Sequence, residues 1–314
     1  MIRRRAQILI TGVGQLGTAV VAELDAQNGG STRNYVLKTK EMLNITDFSA
    51  VREQLELLKP DVIINTSGVV DWRVANRNQP ATWAAMVQGS DNLAKLGVFL
   101  KIPLIHISCH SVFGMGLQPQ NHVYTETDPV APPNFLAAAQ VFAEHAIMRL
   151  GQSGADWKFW VLRCGPLFSP LSERQWRADL TRAVLAPPRT SAMPSHLLAN
   201  DLRITPTYVP HLAKVLVWLA ENRTTVPSGI YHVANSGITT PYDFACYLRR
   251  AIDWQGHVFE SASLEEISRL MGDRPQEVIR STPLSCEKIM AMTPIVMPGW
   301  MEAINEFASV CVSI

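Results

Sequence analysis

What this chain lacks excludes several classes of protein. No apolar stretch approaches the ~20 residues of a membrane span. Neither sign of charge dominates, since 28 basic residues stand against 27 acidic ones and the two are interspersed. That balance argues against a nucleic-acid or membrane-surface footprint. The opening Met1-Ile2-Arg3-Arg4-Arg5 is basic, but the apolar core and small-residue cleavage site of a secretory leader do not follow it. A cytoplasmic location is expected. Cysteine is scarce: Cys109, Cys164, Cys246, Cys286 and Cys311 are odd in number, scattered and free of any C-x-x-C pair. Reduced thiols are predicted, without a disulfide framework or a zinc site. No metal ligands are assigned, because no His, Cys, Asp or Glu residues show convincing metal spacing.

What is present is ample apolar content, 47% of 314 residues, enough for more than one ordinary domain. Apolar runs at Ala6–Thr11, Tyr35–Leu37, Asp61–Asn65, Pro103–Ser108 and Phe159–Arg163 read as strands. Between them, helical spacing runs over Gln15–Ala26, from a Thr46 or Asp47 cap to about Leu58, over Pro80–Leu100 and over Phe135–Leu150. Repeated β-α units of this kind demand a parallel sheet with helices on both faces. After Cys164 the pattern changes to prolines and polar loops. A helix is then expected at Val209–Glu221 and a strand at Gly229–Ala234, with further helices at Pro241–Ile252, Leu264–Met271 and Trp300–Ala308. The expected division is a nucleotide-binding domain over residues 1–168, joined by a returning segment 207–235. Residues 169–206 and 236–314 form a smaller C-terminal lobe. Ligands of such sheets bind at the carboxyl ends of the strands.

The first strand runs into Thr11-Gly12-Val13-Gly14-Gln15-Leu16-Gly17, a G-x-G-x-x-G turn that opens a helix. Gly12 suits the tight turn, Gly14 lets a pyrophosphate approach the backbone, and Gly17 lets helix and strand pack closely. The N–H groups at Gln15 and Leu16 face the phosphates from the helix start. At the end of the second strand, an NAD site carries Asp or Glu for the ribose 2′-hydroxyl. Here Lys38-Thr39-Lys40 offers two cations, which suit a 2′-phosphate. NADP(H) is therefore favoured over NAD(H), with Asn44 and Asn65 as further cofactor-side positions.

The order and spacing of several fragments carry a resemblance. They are TGVGQLG at Thr11–Gly17, LNITD at Leu43–Asp47, KPDVIIN at Lys59–Asn65, HIS-x-x-SVF at His106–Phe113, VYTETDPVAPPN at Val123–Asn134, VLR at Val161–Arg163, TPTY at Thr205–Tyr208, GIYHVANSG at Gly229–Gly237, and Arg274-Pro275. Over nearly its whole length the chain resembles the dTDP-4-dehydrorhamnose reductase branch of the extended short-chain dehydrogenases/reductases. The methionine adenosyltransferase regulatory β subunit is similar to the same family and is not a reductase. The resemblance implies an α/β fold, a Rossmann-type doubly wound parallel sheet with a smaller C-terminal substrate lobe. It also implies a nucleotide-sugar site, to which Ser108, Arg163, Thr205, Thr207 and Arg274 are assigned. Family members reduce a 4-keto group with NAD(P)H. A Ser or Thr holds the carbonyl, a Tyr gives the proton, and a Lys four residues later tunes the Tyr and binds the nicotinamide ribose.

This sequence departs from the family at each of those places. Cys109 stands for the carbonyl-binding hydroxyl, Leu136 for the Tyr and Gln140 for the Lys. The Asn of V-N-A-x-G is lost where Ala85-Met86-Val87-Gln88-Gly89 stands, an Asp becomes Asn44, and another becomes His211. A general acid contributes typically 10²–10⁴-fold, and Leu136 has no proton to give. Cys109 is a weak donor, and His110 is the better proton donor near neutrality. The expected role is an NADP(H)-binding protein with a degenerate reductase site, non-catalytic or altered in chemistry. One alternative is an active keto-sugar reductase using His110 or water as its acid. Another is a regulatory subunit of a partner enzyme. The expected partners are a nucleotide sugar and either a partner enzyme or a second copy of the chain.

Overall fold

Six parallel strands form the central sheet of the computed structural model, which describes residues 6–29, 33–119, 121–153, 156–169, 197–253 and 259–312. The basic start and the stretch 170–196, assigned above to the C-terminal lobe, lie outside the described residues. The strands are β1 (Ile8–Thr11), β2 (Tyr35–Lys38), β3 (Val62–Asn65), β4 (Leu104–Cys109), β5 (Phe159–Cys164) and β9 (Gly229–Val233), in the order β2-β1-β3-β4-β5-β9. Three shorter strands, β6 (Leu167–Phe168), β7 (Leu197–Ala199) and β8 (Thr207–Tyr208), precede β9 in the chain, and β10 (Glu260–Ala262) follows it. They make two small parallel pairs, β6 with β8 and β10 with β7. The α/β class and the doubly wound parallel sheet are as the sequence predicts. The order of the strands reverses beside β1, which places a crevice beyond their carboxyl ends.

Both faces of the sheet are covered, so its strands are continuous apolar runs rather than alternating ones. On one face α1 (Gln15–Asn28) packs beside the helix Val209–Glu221, burying Leu16, Val20 and Leu24 against Leu212, Val215 and Leu216. On the other face lie α2 (Phe48–Leu58), α5 (Gly89–Leu100) and α6 (Phe135–Gly151), through Val51, Leu55, Leu93 and Ile147. Asp47 caps α2 by accepting the Ala50 N–H, and Asn134 caps α6 by accepting that of Ala137. A separate core gathers Phe168, Tyr208, Phe244, Trp300, Ile304 and Phe307.

The structure corrects one helix. The continuous span expected over Pro80–Leu100 is broken into α4 (Gln79–Trp83), one π-helical turn at Ala84–Gln88, and α5. At the break the Gly89 N–H bonds to the Ala84 carbonyl, five residues back. A short helix, α3 (Trp72–Arg77), capped by Asp71, precedes them. Apolar periodicity cannot separate a π turn from the α-helix around it, and six residues are too few to show a period.

Candidate functional site: a glycine turn beside a packed aliphatic cluster

The three glycines are not equivalent. Gly12 has φ +95°, and a Cβ there would lie 2.7 Å from the Ser67 nitrogen. A Cβ on Gly17 would lie 2.0 Å from the Gly12 carbonyl oxygen. The fold itself requires these two glycines. Gly14 has an ordinary φ of −79°, and a Cβ on it would meet nothing within 4 Å. It opens onto space at the start of α1, where there is no side-chain cap and no acidic residue in the first turn. The N–H groups of the first helical turn and the positive end of the helix dipole face that space. Leu16 is buried in the core, so it offers only its backbone there, and Gln15 is half-buried. This cradle fits a pyrophosphate. Lys38 ends β2 half-buried, and Lys40 is exposed two residues on.

Two of the assigned cofactor positions have other work. Asn65 is buried, not presented to a ligand. Its Oδ1 accepts from Thr11 Oγ1 at 2.8 Å and from the Ser67 N–H, and its Nδ2 donates to His106 Nδ1 at 3.1 Å, tying β1, β3 and β4 together. Asn44 is exposed, and its Oδ1 accepts from the Thr46 N–H and hydroxyl, shaping the turn before α2.

One face of α6 carries Leu136, Gln140 and Glu144 at successive turns, all buried. Glu144 accepts from Arg163 in a two-pronged pair, Nε to Oε1 at 3.0 Å and Nη2 to Oε2 at 2.7 Å, and from the Ser108 hydroxyl. The Arg163 guanidinium also stacks over the Phe113 ring, 5.0 Å from its centroid. This corrects the assignment of Ser108 and Arg163 to the substrate. Both are buried and committed to Glu144, so they pin α6 to β4 and β5. One turn above Glu144, the Gln140 Oε1 is buried without a hydrogen-bond partner among the described residues. Above that, Leu136 is 8% exposed and packs in an apolar cluster with Ala75, Met86, Val87 and Ala139, walled by Trp72 and Trp83. The Met86 thioether accepts the Val69 N–H at 3.1 Å and lies against Gly68. Leu136 and Met86 thus belong to one packed aliphatic and thioether cluster.

Neither substitute acid is well placed to act as one. Burial holds the His110 pKa down at about 4, and its Nδ1 is bonded to the Thr282 hydroxyl. At neutral pH the ring is therefore held mainly in its neutral form. This corrects the reading of His110 as a donor near neutrality. Burial raises the Cys109 pKa, and the thiol sits 2.7 Å from the Ser111 hydroxyl, so it stays protonated. Tyr124 is buried and stacked on Phe113.

The imidazoles give a pH signature. Burial lowers His106 to about 4, and burial with the Arg163 charge lowers His232 to about 3. With His110, these folded values lie below the ordinary 6.5, so below that pH the unfolded chain binds more protons. Stability is therefore complete above about pH 6.5 and is lost as the pH falls toward 4. The melting temperature is expected to be level through neutrality and to drop across that acid window. A flat profile from pH 6.5 to 4 would contradict the burial of these groups.

Thr205 and Thr207, also assigned to the substrate, are buried. Thr205 Oγ1 accepts the Leu284 N–H, and Thr207 Oγ1 has no partner among the described residues. His211, which the resemblance sets at an Asp position, is buried and bridges Glu306 and Asn235. Arg274 differs from the other assigned residues, since its side chain is 74% exposed beside Glu277. It lines a pocket of about 750 Å³ with Trp72, Arg77, Asn134 and Phe135. Arg73 pairs with Asp273 across the same pocket.

A family profile described as the RmlD substrate binding domain matches residues 6–312. The chain belongs to that family. The spore coat polysaccharide biosynthesis protein SpsK of Bacillus subtilis is 26% identical over 309 residues, 96% of each chain. Methionine adenosyltransferase 2 subunit beta of Xenopus laevis is 27% identical over 256 residues, 80% of this chain and 72% of that protein. The solved dTDP-4-dehydrorhamnose reductase of Bacillus anthracis, in complex with NADP, superposes with a TM-score of 0.77 at 22% identity, covering 97% of this chain and 99% of that one. For an RmlD-family member, Glu144 is the residue that sequence reasoning left unassigned, and Arg163, in the VLR fragment, was assigned to the substrate rather than to Glu144.

Proposed function

We propose that this protein binds NADP(H) in the glycine cradle and does not catalyse the family's carbonyl reduction. The reading is carried by the packed cluster around Leu136, which puts hydrocarbon where the proton donor belongs. Gly14, the N–H groups at the start of α1, Lys38 and Lys40 would hold the cofactor. The cofactor, when bound, supplies hydride. Leu136, at the position that the resemblance gives to the proton donor, has no proton to supply. A nucleotide sugar is the proposed second ligand, in the pocket lined by Arg274, where guanidinium groups suit phosphate oxygens.

A clean test exists because the fold does not need Gly14 to be glycine. In Gly14→Val the side chain enters only the open space before α1. The expected result is an unchanged melting temperature with loss of measurable NADPH binding by calorimetry. If the wild-type protein binds neither NADPH nor NADH at millimolar concentration, the cofactor reading fails. Tighter binding of NADH would remove Lys38 and Lys40 from the site. A second reading, a regulatory subunit of another enzyme, is favoured by the match to a methionine adenosyltransferase subunit. A stoichiometric enzyme partner in pull-downs would support it.

A further inference from the structure

A groove of about 690 Å³ lies at the amino ends of the strands, against the residues that lead into β3, β4 and β5. The glycine turn lies at the opposite, carboxyl edge, roughly 15–20 Å away by the rise of a strand. The floor is apolar, made by Leu55, Leu100, Ile102 and Pro103. Two large apolar side chains stand in water on the last turns of the neighbouring helices, Leu57 at 71% and Phe99 at 68% exposure.

The rim is cationic, with Lys59, Lys101, Lys158 and Arg223. Its two acids are already engaged. Glu56 pairs with Arg52 at 2.8 Å, and Asp61 accepts the Gln7 N–H at 2.7 Å and faces Arg223 at 3.8 Å. Three lysines are left to set the potential. The carboxyl ends of α2 and α5 offset roughly half a charge each, so about two positive charges remain in a chain whose net charge is only +1.

Two of these lysines are unusual in their backbone. Lys59 and Lys101 end α2 and α5 in the left-handed region, with φ of 43° and 58°. They are two of the three non-glycine residues with positive φ among the described residues, and both border this groove. Glycine is the residue that usually ends a helix this way, and a side chain there is held in a disfavoured backbone conformation. The fold alone would be better served by glycine at both places.

We propose that this groove docks an acidic segment of a partner protein, an apolar side chain seated on the floor with carboxylates against Lys59, Lys101 and Lys158. Charge complementarity with Lys59, Lys101 and Lys158 selects the acidic partner. A partner bound here leaves the glycine cradle open, so the two sites can be occupied together.

The test uses the full chain and a fluorescein-labelled short peptide with a Leu-Phe pair flanked by Glu on both sides. Anisotropy should show saturable binding that weakens as salt is raised. The variant Lys59→Gly/Lys101→Gly/Lys158→Ser should bind at least about tenfold more weakly. It should melt no lower than wild type, because glycine relieves the two left-handed positions, and its affinity for NADPH should be unchanged. Three results would overturn the proposal: no binding of the Glu-flanked peptide, undiminished binding by the triple variant, or equal binding of a peptide with Ser in place of Leu-Phe. Binding to phosphatidylglycerol vesicles but not to the peptide would assign the groove to lipid and overturn it as well.

Discussion

Arg163→Ala is expected to cost about 3–5 kcal/mol of folding stability, because it leaves the Glu144 carboxylate buried without its cation. Glu144 is 1% exposed and Arg163 3%, so water cannot rescue either charge. In a chain of this length that loss lowers the melting temperature by on the order of 10 °C. Glu144→Leu should be comparably harmful, since it strands the guanidinium instead. Combining Glu144→Leu with Arg163→Met should recover much of the loss, because an apolar pair of similar volume often matches or exceeds a buried ion pair. Urea melts of wild type, Glu144→Leu, Arg163→Met and the double variant close the double-mutant cycle that measures the coupling. A cost under about 1 kcal/mol for Arg163→Ala would mean that the pair is solvated. It would no longer be the tie that holds α6 against β4 and β5.

That tie shows which parts of the molecule were legible in the sequence. The strands and helices of the sheet were readable from apolar runs and their spacing, and the glycine turn from its place between β1 and α1. The helix Val209–Glu221 was placed to the residue. Leu136, Gln140 and Met86 were also readable as departures from the Tyr, Lys and Asn that the resemblance implies. The packing around Leu136 was not, because that cluster is assembled from α3, the π turn and the loop after β3. Arg163 was read as a ligand contact because it sits in a fragment that resembles the family and Arg can grip phosphate oxygens. Its partner lies 19 residues away on α6, and only the fold brings the two together. Burial likewise decided against His110. Sequence gives its residue type, but the pKa follows from a site that excludes water.

The largest functional effect is expected from rebuilding the relay. Wild-type protein should oxidise NADPH no faster with a dTDP-linked 4-keto-6-deoxyhexose than without it, since neither Leu136 nor the neutral His110 can deliver a proton. Leu136→Tyr alone should help little. A phenol set among Ala75, Met86 and Ala139 would be overpacked by roughly 1–3 kcal/mol, and apolar surroundings would raise its pKa. Adding Met86→Asn opens the cluster, and adding Gln140→Lys supplies the cation that lowers the phenol pKa. Restoring Ser at Cys109 returns the carbonyl-side hydroxyl. The four changes together should raise turnover by about 10²–10⁴-fold over wild type, the ordinary contribution of a positioned acid. The gain should far exceed the product of the single effects, because residues acting as one unit are not additive. The underlying frame, Glu144 and Arg163 bonded behind this face, is intact and ready to orient the new side chains. Wild-type turnover near 1 s⁻¹ or above would show that a proton source already exists, and the proposal of an inert site would fall. A rebuilt enzyme that binds NADPH and still fails to turn over would move the deficit from the proton to the substrate pocket at Arg274.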